Sequence, residues 1–149
     1  MFCPKRSTYY KKKELIKRED IFVSPTQKEF LIFVSLIGGV PQEKAEKYFQ
    51  NAVEKAHRLG QHTNHVSSWE SRNPEQEQWG GAVRVNADYI VAFSGLPEEW
   101  DEAAMLVIAD NSFLNSISSR ASLYRAILFE TRGKNPQFEK LCDYQPPQD

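Results

Sequence analysis

The three histidines of the chain, His57, His62 and His65, are crowded into one short stretch. Imidazole is the commonest side-chain metal ligand and also ligates haem iron. Glu54 lies one turn before His57 and adds a carboxylate to a candidate metal-binding set. The spacing matches no diagnostic zinc template. The ordinary alternative for His57 is a favourable charge at a helix C-terminus. A second group is Ser94-Gly95, followed by Glu98, Glu99 and Asp101. A serine and a glycine before a helix can cradle an anion, but the acidic residues already complement the positive end of the helix. A strand-to-helix corner is the simpler reading. Trp69 and Trp79 flank a polar stretch and are candidates for lining a pocket or an interface, whereas Trp100 reads as core. Cys3, Cys142 and Ser94 carry no nucleophile signature, which favours a non-catalytic role.

Further groups bear on partners and location. Tyr9-Tyr10 before Lys11-Lys12-Lys13 mixes rings with positive charge, as single-strand binders do. The net charge of −1 supplies no general field for nucleic acid or an anionic membrane, so nucleic-acid contact is unexpected beyond this arm. Two cysteines are too few for a disulfide framework and are expected as free thiols in a reducing cytoplasm. No apolar run, Phe30 to Val34 included, is long enough to span a membrane.

These residues need elements to hold them. A chain of 149 residues with 40% apolar and 26% charged residues suits one soluble domain. Residues 1–20 read as a basic arm, 21–135 as the domain and 136–149 as a tail. Ser24-Pro25 is a helix-start signal, and Phe30, Phe33, Val34 and Ile37 follow at helical spacing. A buried strand over Phe30 to Ile37 is the rival reading. Residues 42–59 form the clearest helix, with Ala45, Tyr48, Phe49, Ala52, Val53, Ala56 and Leu59 on its buried face. Lys55 falls outside that face, and Gly60 is expected to end the helix. Residues 61–78 are a long polar loop, with a short strand near Val66 as an option. Ala82 to Val85 alternates as a half-buried strand does, Asn86-Ala87-Asp88 turns, and Tyr89 to Phe93 is an apolar interior strand. Pro97 opens a helix to Ala109 with Trp100, Ala103, Ala104, Val107 and Ile108 inside. A last helix carries Phe113, Ile117, Ala121, Tyr124 and Leu128 on one side. The order is α, α, β, β, α, α: an α+β domain with a small antiparallel sheet covered by helices.

Gly80-Gly81-Ala82, two strands ending Ala-Phe-Ser-Gly, and Pro97-Glu98-Glu99 with Asp101-Glu102 resemble the closing part of the haem-degrading-like domain family, which includes haem-binding sensors and GlcG-type proteins. The resemblance covers residues 80–109. It implies a compact α+β domain that oligomerises and binds haem or another small ligand. It places no ligand residue, because nothing outside this stretch matches. The leading expectation is a non-catalytic ligand-binding or sensory module, with haem as the candidate cofactor. His57, His62, His65, Trp69, Trp79, Ser94 and Gly95 are its candidate ligand-binding residues. The alternative is an assembly domain that meets a protein partner and holds no small ligand. A two-stranded hairpin is marginal alone, so a homodimer or higher even oligomer is expected to complete the sheet.

Overall fold

The computed structural model describes residues 31–35, 37–111 and 121–144. The fold is α+β. Helix α1 spans Gln42–Gln61, β1 Ala82–Arg84, β2 Ile90–Ala92, α2 Glu98–Asn111, α3 Ala121–Arg132 and α4 Pro136–Asp143. The strands pair antiparallel, with Ala82 opposite Ala92 and Arg84 opposite Ile90. Asn86 sets the turn: its side-chain oxygen accepts from Asp88 N at 2.9 Å and Tyr89 N at 3.0 Å, the local bonding that makes asparagine a turn former.

The sheet differs from expectation in which strand lies inside. Ala82, Val83 and Arg84 are all buried, whereas β2 is half-buried throughout. Val83 and Val85 join the core with Ala103, Leu106, Tyr124 and Leu128. Arg84, on the other face of the pleat, reaches the end of α1: its Nη2 donates to Leu59 O at 2.7 Å. The 61–78 loop closes β1's second edge. Ser67 forms a bridge with Val83, and Arg84 N donates to Val66 O at 2.9 Å. A lone hairpin is thus completed from within the chain, along β1. Among the described residues nothing pairs with the outer edge of β2.

The helices depart from the apolar-face rule. In α1 the buried residues are Lys55, Arg58 and Leu59, while Phe49 and Val53 stay about 40% exposed. In α2 they include Asp101, Glu102, Met105 and Leu106, and Ile108 is 43% exposed. The reason is pairing across elements. Lys55 meets Asp101 at 2.7 Å with both side chains almost fully buried. Glu102 holds Arg132 at 2.7 Å. A buried charge is tolerated when paired and hydrogen-bonded. Asp110 pairs likewise with Arg125.

Three boundaries also move. Gly60 lies inside α1, which continues to Gln61; Arg84 holds the Leu59 and His62 carbonyls on either side of it. Residues 31–35 and 37–40 are neither helix nor strand. Ser24 to Phe30 lie outside the described residues, as do Phe113, Ile117 and the basic arm. Residues 136–143, expected as tail, form α4: Asn135 caps it through Gln137 N and Phe138 N, Pro136 opens it, and Phe138 enters the core. Cys142 on this helix is disulfide-bonded, so the expected free thiol is absent there and with it the argument for a reducing compartment. Cys3 lies outside the described residues. No helix among them is long and apolar enough to cross a membrane.

Candidate functional site

The polar loop folds tightly because its own side chains serve its backbone. Ser67 caps a 3-10 turn over Ser68–Ser71, and Glu70 reaches back to Val66 N and Ser67 N. This is a capping box, which satisfies donors that a helix start leaves open. Arg58 adds bonds to Ser68 O, Ser71 Oγ and Trp79 O. The loop thereby sets Trp69 in place. A Cβ on Gly80 would come within 2.4 Å of the Trp69 ring, so glycine is required for that approach. Guanidinium carbons of Arg72 and Arg132 lie 4.6 and 4.7 Å from the ring centroid, within cation–π range.

Beside Trp69 is an open cleft of about 210 Å³, lined also by Glu99, Thr131, Arg132, Lys134 and Pro136. Its floor is held by Glu102, which is wholly buried. Glu102 accepts from Arg132 Nε and Nη2 at 2.7 Å each, from Ser67 Oγ at 2.5 Å and from Asn135 Nδ2 at 2.9 Å. One carboxylate therefore joins the loop, α2, the end of α3 and the cap of α4.

The Ser94–Gly95 corner works differently from the expected cap. Gly95 has φ +145°, a conformation that favours glycine. The open amide of Leu96 is met by Asp101 Oδ1 at 2.9 Å rather than by Ser94. Glu98 accepts from Gly80 N at 3.0 Å and Arg72 Nη2 at 2.7 Å. The acidic first turn of α2 thus fastens the start of β1 as well as complementing the helix dipole. Burial pushes the Asp101 carboxyl above its ordinary range, an effect that Lys55 partly offsets.

The histidines are only partly brought together. His62 and His65 stack at 4.5 Å, and Arg84 holds both their backbone carbonyls. His57 lies exposed on α1 with its Nε2 2.8 Å from Gln61 Nε2. Among the described residues no three His, Cys, Asp or Glu side chains are grouped to hold a metal ion. The cleft beside Trp69 does not fit a haem: it has no histidine in its lining, and its volume is below the roughly 300–1,000 Å³ of small-molecule pockets. Trp69 lines the cleft, while Trp79 contributes its carbonyl to Arg58. Trp100 is half-buried beneath Lys140, whose Nζ is 6.0 Å from the ring centroid. Arg132, Lys134 and Glu99 carry no sequence signature; only their convergence on Trp69 in the fold singles them out.

No family model, curated protein or solved structure matches the chain. The resemblance to haem-degrading-like domains rests on the string at residues 80–109 alone.

Proposed function

We propose that the protein is a non-catalytic assembly module that associates with a second copy of itself, as a homodimer or higher even oligomer. The observation that supports this reading most is an exposed apolar segment. Leu31, Ile32, Phe33, Val34 and Ile37 are 66%, 75%, 80%, 47% and 69% exposed. Contiguous exposed apolar surface marks interaction sites. Phe49 and Val53, one turn apart on α1, are a further exposed apolar pair.

The segment is rich in β-branched and aromatic residues, which favour pairing as a strand. The chain also offers a matching edge. The bonds from Val85 N to Tyr89 O and from Phe93 N to Gly81 O turn the odd-numbered residues of β2 toward β1. The backbone groups of Ile90 and Ala92 then face the outer edge. No lysine or proline guards them. Strand addition to an exposed edge is a recurrent binding mode. Two copies supply both halves of the pairing, and two-fold closure is the commonest arrangement.

Sedimentation equilibrium tests the reading. The wild type is expected at a multiple of 17.2 kDa at micromolar concentration, and Phe33→Asp at the monomer mass. A wild-type monomer at high micromolar concentration overturns self-assembly. An unchanged mass for Phe33→Asp overturns the role of the segment.

A further inference from the structure

The cleft beside Trp69 has a charge pattern that its structural role does not use. Arg132 commits Nε and Nη2 to Glu102, but its Nη1 has no partner among the described residues. The Lys134 ammonium and the Glu99 carboxylate, both exposed, likewise make no hydrogen bond or ion pair there. All three residues line the same cleft. Glu102 already balances Arg132, so the mouth carries one further cation and one anion. A ligand that is only an anion meets Glu99, and one that is only a cation meets Lys134. A molecule bearing both charges satisfies both.

From this geometry we infer that the cleft binds a small zwitterion of the free α-amino-acid class, independently of self-assembly. The carboxylate sits on the Lys134 and Arg132 Nη1 side, and the ammonium faces Glu99. Trp69 and Pro136 supply the apolar wall for a short side chain. Size agrees with this class. An open cleft of about 210 Å³, smaller than the roughly 300–1,000 Å³ of drug-sized pockets, suits an amino acid. Arg132 matters doubly, because the guanidinium that would take the carboxylate also holds Glu102 and stacks on Trp69. Binding is therefore expected to alter Trp69 emission.

The test is titration of the full-length protein with glycine, alanine and leucine, and with N-acetyl-leucine and leucinamide, which each lack one of the two charges. Calorimetry and tryptophan fluorescence are the readouts. At least one free amino acid is expected to bind at millimolar or lower concentration, with leucine about tenfold tighter than either analogue, the loss expected for a charge-assisted bond. Lys134→Ala should reduce the preference for leucine over leucinamide, Arg132 still meeting the carboxylate, and Glu99→Gln should abolish the preference over N-acetyl-leucine. Both side chains are exposed, so the fold is kept, and an unchanged circular dichroism spectrum verifies it. No response to any of the three amino acids overturns the inference. So do analogues that bind as tightly as leucine, and so does selectivity that neither substitution reduces. The mass in sedimentation is expected to be the same with and without amino acid, so this failure is separable from a failure of the assembly reading.

Discussion

Replacing Glu102 by alanine is expected to be among the most damaging single changes in the protein. The substitution removes the acceptor shared by Ser67, Arg132 and Asn135. It also leaves the Arg132 guanidinium, 20% exposed, without its counter-charge. Breaking one side of a buried pair costs about 3–5 kcal/mol. Domains hold only about 5–15 kcal/mol in total, so this is at least a fifth of the reserve. At about 2–4 °C per kcal/mol for a chain of this size, Tm falls by roughly 6–20 °C. Urea unfolding followed by circular dichroism at neutral pH measures the loss. Glu102→Gln with Arg132→Met removes both charges while keeping much of the volume, and should recover a large part of it. The double-mutant cycle is expected to give a coupling near the upper end of the usual 0.5–3 kcal/mol range. A loss below about 1 kcal/mol for Glu102→Ala, the level of an average substitution, would refute the placement of this carboxylate at the centre of the network.

The Lys55–Asp101 pair gives a related expectation: Lys55→Met alone costs about 3–5 kcal/mol, and Lys55→Met with Asp101→Leu much less; equal losses in urea unfolding would argue against a paired, buried contact. The same pair has an unusual pH signature. Burial raises the Asp101 carboxyl above its ordinary value of 3.8, so from that pH upward to the folded value the folded state keeps a proton that the unfolded state releases. The stability of the wild type relative to Asp101→Asn should therefore fall as pH rises through this window, and unfolding curves across pH would show the opposite slope if the carboxyl were lowered. Gly81→Ala should cost about 2–5 kcal/mol from backbone strain and overpacking together. Its φ is +122° and the new Cβ meets Asp101 Cβ at 2.7 Å and Phe93 O at 3.0 Å. Gly95→Ala, with only Tyr48 ring atoms 3.7 and 3.8 Å away, should cost the strain alone, and thermal melts of the two variants compare them. Phe138→Ala should cost about 3–5 kcal/mol if α4 belongs to the core; a melt unchanged from wild type would return it to a tail.

Local signals in the sequence locate α1, α2 and the hairpin closely. Proline openings, the acidic first turn of α2 and Asn86 act within a few residues and so are visible in a short window. The buried faces are less legible for the same reason. Lys55, Asp101 and Glu102 look like solvent-facing charges until their partners, 46 and 30 residues away, are known. A periodicity argument sees a charge, not its counter-charge. The α4 helix was legible in principle, since Asn135-Pro136 is a cap followed by a first-position proline. Its shortness hid it behind the tail reading. For the cleft, Trp69 was recognisable as a candidate, but Glu99, Arg132 and Lys134 come from segments that only tertiary structure joins.

The position of Glu102 in the chain has a consequence for the protein during its synthesis. Its cationic partner follows it by 30 residues and the Asn135 amide by 33. Until Arg132 and Asn135 are in place, α2 carries a charged group on the side that must pack, and burying that side against β1 alone leaves the carboxylate without its cation. Early misplaced burial is penalised, and the core seals only when the segment that ends it has been translated.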